Sequence, residues 1–319
     1  PADAEIDLTE FANWLLSRKP HLRPSTWRVY KNACVYMIES TGDAEADNAL
    51  RLLNTDFVEL TDEGAAEPGK AKASGRGRRT SAMKAFKWPY EDFRKIIAYI
   101  ENFSRSDLAS ETVDWLRAGV ATGLRPIEWE ATALRTERME ENGEPREVLK
   151  VLNAKATQGR GNDIIRTLDV TDVDETYKDA ISRMSRNGAT WYAEGVFQER
   201  KAKAQQIIYN AFQKLFPNRR QTYCLYTCRH QFIANAKSAC SRAEVAALSG
   251  HGVTKTAERH YGKKRSAWSP DRQPGLPRPH PQEVELVRRR IGYMENRVRQ
   301  AQEAGLSPGE GEGDESFPI

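Results

Sequence analysis

From residue 7 onward the apolar positions recur at helical spacing. Leu8, Phe11 and Leu15 share one face of "DLTEFANWLLSRK", and in "PSTWRVYKNACVYMIES" Ser25 or Thr26 stands as a cap ahead of Trp27, Cys34 and Ile38. The pattern predicts a small helical domain over 1–68, with its helices between 7 and 62. It then fails in "GKAKASGRGRRTSAMKAF", which carries too little apolar surface to fold alone and predicts a flexible linker over 69–87. Helical spacing returns from about 88 to 138, in "YEDFRKIIAYIENF" and "ETVDWLRAGVATGLRPIEWEATAL". In "REVLKVLNAKATQGRGNDIIRTLDV" the period changes to two Val-, Leu- and Ile-rich runs around a loop holding Gly159 and Gly161, a hairpin signal. Helices resume with "AQQIIYNAFQKLF" and continue past Tyr261. The pattern therefore predicts a second domain over 88–266, mainly α with a small antiparallel sheet.

Beyond it, Pro270, Pro274, Pro277, Pro279 and Pro281 predict a stiff, extended spacer over 267–281. Val284, Val287, Ile291, Met294, Val298 and Ala301 then alternate in steps of three and four, the spacing of a coiled-coil seam. Gly292 interrupts it, so the helix over 282–305 reads either as an assembly element or as one packed on its own chain. Residues 306–319, "LSPGEGEGDESFPI", read as an acidic disordered tail.

Composition agrees with two cores: 319 residues, 39% of them apolar. The acidic start "PADAEIDLTEFANWLL" is unlike a signal peptide, and no apolar run approaches the roughly 18 residues of a membrane helix, so a cytoplasmic protein with no membrane partner is expected. Cys34, Cys224, Cys228 and Cys240 show no C-x-x-C pair and read as reduced thiols in helix packing, in preference to a zinc site of Cys224, Cys228 and His230. The formal charge of +4 hides a strongly basic linker. Lys70, Lys72, Arg76, Arg78, Arg79 and Lys84 occur there without an acid, either as a solvated tether or as a strap along nucleic acid, where such charges release condensed counterions.

Four residues could do chemistry together. Gly123 and Pro126 place Arg125 between two helices at an N-terminus, an anion-binding position. Arg229 lies three residues after Tyr226, on one helical face with it. His251 follows Gly250, a helix-ending residue, and Tyr261 comes ten residues later. Two guanidinium groups, an imidazole and a phenol are what attack on a phosphodiester requires: bidentate grips for the non-bridging oxygens and a covalent nucleophile. Tyr223 reads as core, and His260 as surface.

In "TGLRPIE" (Thr122–Glu128), "YTCRH" (Tyr226–His230), "LSGH" (Leu248–His251) and the tyrosine at 261, the sequence resembles the tyrosine recombinases, the phage-integrase family of DNA strand-exchange enzymes. The resemblance covers about 88–266 and implies a two-domain, C-shaped DNA clamp: a helical core-binding domain plus a mixed α/β catalytic domain. It implies that Arg125 and Arg229 grip the scissile phosphate, that Tyr261 forms a 3′-phosphotyrosine, and that His251 and Tyr226 position groups or relay protons. Glu128 and His230 would support them from behind. A hairpin lysine would protonate the leaving 5′ oxygen; Lys155 is the first candidate, Lys150 and Arg160 its competitors, and a solvated edge residue the bland alternative. The family most often has histidine where this chain has Tyr226, a phenol with an ordinary pKa of about 10 and a poor base near neutrality.

The expected activity is site-specific recombination without metal, ATP or other cofactor: integration, excision or cointegrate resolution. Alternatives are a telomere resolvase or type IB topoisomerase-like strand transferase, and a DNA-binding accessory protein without turnover. The implied partners are a double-stranded DNA site, further copies of the chain (a tetramer on two sites) and an accessory DNA-bending or helper protein.

Overall fold

A computed structural model describes residues 7–22, 24–41, 46–55, 84–138, 143–154, 163–252 and 261–303. The chain divides into two compact units, Pro1–Arg76 and Gly77–Ile319. In the first, three helices are described: α1 (Leu8–Arg18), α2 (Pro24–Thr41) and α3 (Ala46–Thr55). Asp7 caps α1 by accepting from the amides of Thr9 (2.8 Å) and Glu10 (3.0 Å), two donors the helix itself leaves unpaired. Ala12, Leu15 and Leu16 close on Trp27, Ile38, Ala49 and Leu53. The buried face is turned slightly from the expected one, for Leu15 is buried but Leu8 and Phe11 are only half-buried.

The second unit contains α4 (Tyr90–Phe103), α5 (Ala109–Thr122), a 3-10 turn (Pro126–Ala131), β1 (Thr132–Arg138), β2 (Pro145–Leu152) and β3 (Ile165–Asp169). These are followed by α6 (Glu175–Ala193), α7 (Phe197–Leu215), α8 (Leu225–Ala239), α9 (Arg242–Ser249), β4 (Arg278–Pro279) and α10 (Pro281–Glu303). The four strands form one antiparallel sheet in the order β1-β2-β3-β4. Helix α8 runs through the interior, with every residue from Thr227 to Ala236 buried. It approaches α5 closely because Gly119 presents no side chain: a Cβ there would lie 3.1 Å from that of Cys228. Cys228, 1% exposed, is thus a packing residue.

A helix buried on all sides must have partners for its polar residues, and those of α8 tie down two segments expected to be free. Gln231 Oε1 accepts from the amide of Trp88 (2.8 Å), and its Nε2 donates to the carbonyl of Ser266 (2.8 Å). Asn235 Oδ1 accepts from the amide of Trp268 (3.0 Å), whose indole donates to the carbonyl of Trp88 (2.6 Å). The linker predicted over 69–87 therefore does not extend to 87. Lys84 already pairs with Thr222 in a parallel bridge, and Ala85 is buried. Nor is 267–281 a detached spacer. Trp268 is buried, the carbonyl of Pro274 accepts from the amide of Asp174 (2.9 Å), and Arg278–Pro279 supplies the fourth strand, at an edge where proline's missing N–H does no harm.

Two further expectations change. The helical reading of 88–138 ends early, because Thr132–Arg138 is a strand paired along its whole length with Pro145–Val151. That pairing, remote in sequence, overrides the local period. The apolar stripe of α10 begins on its own chain: Val284 and Val287 are buried against Ala243, Ala246 and Ala247 of α9, with Ile291 at the edge. This part of the predicted assembly seam is already occupied. Among the described residues no helix is long and apolar enough to cross a membrane.

Candidate active site

Helix α5 ends at Gly123, whose φ of 66° is left-handed and whose missing Cβ would collide with the Phe232 ring. The chain leaves extended at Arg125, and Pro126 opens the 3-10 turn. Glu128 reaches back across it. Its Oε2 accepts from the Arg125 amide (2.7 Å) and its Oε1 from Arg125 Nη1 (2.5 Å). Arg166 of β3 donates Nη2 to Glu128 Oε2 (2.7 Å). Burial pushes the Glu128 carboxyl up, but Arg166, Arg229 and Arg125 outweigh it and hold the group well below the usual carboxylate range.

Arg229, in the middle of α8, is fully buried. Nη1 donates to the carbonyl of Gly123 (2.7 Å) and Nη2 to that of Ser249 (2.6 Å), so the guanidinium joins the ends of α5 and α9. Nη2 also lies 3.1 Å from His251 Nε2. Because arginine can only donate, Nε2 accepts and the imidazole proton resides on Nδ1, 2.8 Å from Ser249 Oγ. Ser249 in turn donates to the carbonyl of Val245 (2.7 Å). Burial, then the charges of Arg229, Arg125 and Arg166, push the His251 pKa down to about 2. His251 is thus a neutral acceptor that orients Arg229.

Tyr261 closes the group. Its hydroxyl lies 2.8 Å from that of Tyr226 and accepts from Arg229 Nε at 3.4 Å. The next residue, Gly262, fits against α8 only without a side chain, since a Cβ would fall 2.4 Å from the His230 carbonyl oxygen. Burial raises the Tyr261 pKa, but the Arg229 charge, hydrogen bonds from Tyr226 and Arg229, and the Arg125 charge together lower it below the ordinary phenol value. Burial pushes Tyr226 up to about 12. Of the two phenols Tyr261 ionises first, with Tyr226 as donor to its oxygen. His230 packs beside both rings, 5.3 Å from Tyr226 and 5.2 Å from Tyr261, with Phe86 at 4.9 Å. Burial, followed by Arg229, Lys84 and Lys237, lowers its pKa to about 4.

The structure thus gathers Arg125, Glu128, Tyr226, Arg229, His230, His251 and Tyr261. Lys84, expected on the linker, has its ammonium 6.0 Å from the Tyr226 ring. Lys150 is ion-paired with Glu137 (2.6 Å). Lys155, Arg160, His260, Lys70, Lys72, Arg76, Arg78 and Arg79 lie outside the described residues. Tyr223 is core, hydrogen-bonded to Asp92 and stacked on Trp88. Arg166, Asn153 and Ser249 were not anticipated. Arg166 had a legible signal: in "IIRTLDV" strand alternation sets it on the same face as Leu168, and both are buried.

The charge balance is uneven. Among the described residues, three buried guanidinium groups, Arg125, Arg166 and Arg229, face the single carboxylate of Glu128, and both histidines are held neutral. Arg125 Nε is buried without a partner among them. Unbalanced buried charge is costly, and an anion seated beside Tyr261 would relieve it.

No protein-family model matches the chain, and no curated protein matches its sequence. Among solved structures it is similar to the Tn1549 transposon integrase in complex with a circular intermediate DNA, at 13% identity over 82% of each chain and a TM-score of 0.41. The same integrase with transposon right end DNA aligns at 12% identity over 83% of this chain and 84% of that one, with a TM-score of 0.42. The XerH site-specific recombinase bound to palindromic difH substrate aligns at 14% identity over 82% of this chain and 70% of that one, with a TM-score of 0.44. At such values the likeness carries no chemical argument, which rests on the side chains of this chain alone.

Proposed function

We propose that the protein is a DNA strand transferase of the tyrosine recombinase type, cutting and rejoining DNA at a specific site through Tyr261. The observation that carries this reading is the buried cluster of three arginines around one glutamate, with the Tyr261 hydroxyl against Arg229 and its pKa lowered. A phosphodiester supplies the missing negative charge. Arg125 and Arg229 hold its non-bridging oxygens and stabilise the charge that builds up in the transition state, where losing one such donor costs about 3 kcal/mol.

Tyr261 gives up its proton to solvent, and the phenolate, held by the Tyr226 hydroxyl, attacks phosphorus. A bond forms from the Tyr261 oxygen to phosphorus and the bond to the 5′ oxygen breaks. That oxygen takes a proton, for which Lys155 is the candidate donor. The resulting 3′-phosphotyrosine keeps the ester energy, and attack by a 5′ hydroxyl reverses the step. The partner in this reading is double-stranded DNA, and exchange between two sites calls for further copies of the chain.

The test is a pool of nicked duplexes of randomised sequence, from which the short piece that begins with the freed 5′ hydroxyl diffuses away after cleavage. The native chain should yield a denaturant-stable protein–DNA adduct, and Tyr261→Phe none. An adduct of equal yield from the Phe variant, or DNA retained by the native chain without any adduct, would overturn the proposal.

A further inference from the structure

Arg166 is the cation of the cluster that comes from the sheet. It is fully buried, on β3, behind Glu128. Its Nη2 holds Glu128 Oε2, and its Nη1 donates to Asn153 Oδ1. Asn153 follows β2. Its amide donates to the carbonyl of Ile164 (2.8 Å) and its Nδ2 to that of Asp163 (2.7 Å), so it closes the neck of the β2–β3 connection. The same two side chains also support the turn before His251. At Gly250, with φ of 64°, a Cβ would come within 2.5 Å of Asn153 Oδ1 and 2.9 Å of Arg166 Nη1. The Arg166–Asn153 pair therefore meets three parts of the site: Arg125 through Glu128, His251 through Gly250, and the hairpin neck.

Stability alone does not account for the buried Arg166–Glu128 ion pair that Asn153 supports. A buried ion pair gains little over apolar side chains of the same volume, whereas it does fix geometry. Neighbouring Leu149, Val151 and Leu168 are fully buried and apolar. We propose that Arg166 and Asn153 are positioning residues for phosphate activation, setting the Glu128 carboxylate so that it holds the Arg125 guanidinium in place for the scissile phosphate. This rests on the strand-transfer reading above, and the test separates the two.

The experiment compares the full-length native chain with Arg166→Met, Arg166→Lys, Asn153→Ala and Arg125→Met on two nicked duplexes. One carries an ordinary scissile phosphodiester, the other a methylphosphonate at that position, which lacks one charged oxygen and so has less need of a guanidinium. On the ordinary duplex, Arg166→Met and Asn153→Ala should form adduct about 100-fold more slowly than native, as expected for a lost transition-state donor. DNA binding should remain close to native, while the thermal midpoint falls in both variants because each leaves a buried polar group without its partner. On the methylphosphonate both, like Arg125→Met, should regain most of the native rate. Arg166→Lys, keeping charge but not the fork, should fall between. Equal slowing on both substrates would overturn the inference, as would native rates in both variants. Should Arg166→Met fail to fold, Asn153→Ala and Arg166→Lys decide on the same criterion. Absence of adduct from the native chain on both duplexes would instead remove the strand-transfer reading on which the inference rests.

Discussion

The hydroxyl oxygens of Tyr226 and Tyr261 lie 2.8 Å apart, and the two phenols shift in opposite directions, Tyr226 up to about 12 and Tyr261 down. The proton of that hydrogen bond therefore belongs to Tyr226, and the negative charge, when it forms, to Tyr261. Tyr226→Phe removes a donor to the phenolate and should raise the Tyr261 pKa. In a pH–rate profile of adduct formation the rising limb should move to higher pH, and the rate near neutrality should fall about tenfold for every pH unit the limb moves. Tyr226→His, which can also donate, should restore much of the rate. A limb that stays in place in Tyr226→Phe would mean that the contact does not tune the nucleophile.

Tyr223 serves as the contrasting case. It is buried, donates to Asp92, and its pKa is raised by burial and by that carboxylate. Its hydroxyl also accepts from Arg219 Nη1 (2.9 Å), so Tyr223→Phe removes two hydrogen bonds to charged groups and should cost about 3 kcal/mol of stability while leaving adduct formation unchanged. Denaturant unfolding and the nicked-duplex assay together check both halves.

The candidate general acids separate by chemistry. A thiolate leaves without a proton, so replacing the bridging 5′ oxygen by sulfur should restore Lys155→Ala selectively. Lys150, paired with Glu137 on the neighbouring strand, should give no such rescue when changed to Ala. Rates equally low on oxygen and sulfur in Lys155→Ala would assign that lysine to phosphate binding or hairpin structure.

His230 and His251 are buried and held neutral, with pKa values near 4 and 2 against an ordinary 6.5. A depressed histidine disfavours the folded state as pH falls, because the unfolded chain binds the proton first. Stability should therefore be full above pH 6.5 and decline below it, by about 1.4 kcal/mol per pH unit for each histidine until its folded pKa is reached. Glu128, also depressed, adds to the loss below its ordinary 4.5. His230→Phe, which cannot titrate, should flatten the dependence of the thermal midpoint between pH 6.5 and 4, and an unchanged slope would contradict the burial argument.

Val287 is fully buried against α9, the helix that ends at Gly250 and His251. Val287→Asp places a charge in that contact and should destabilise the second unit by several kcal/mol. Truncation after Ser269, which removes β4 and α10, should lower adduct formation by loosening α9. If the truncated protein kept its native rate and melting temperature, α10 would have no part in supporting the site.

Much of the site could be read from the chain because its residues lie in short local signals. Gly123-x-Arg125-Pro126 marks a helix end and a new start, Tyr226 and Arg229 share a helical face, and Gly250 ends α9 just before His251. Each depends on backbone geometry over a few residues, which sequence determines directly. The division into two cores was equally legible, since apolar periodicity reports burial. What only the tertiary structure decided involves partners far apart in the chain. Thr132–Arg138 became a strand because β2 was there to pair with it. The proline-rich segment became part of the domain because Asn235 and Trp88 receive Trp268. Arg166 entered the site because the buried Glu128, 38 residues before it, needed a partner, and Asn153 because it accepts from Arg166. Buried polar groups must be satisfied, but their sequence positions do not say by whom; the packing of the whole chain makes that choice.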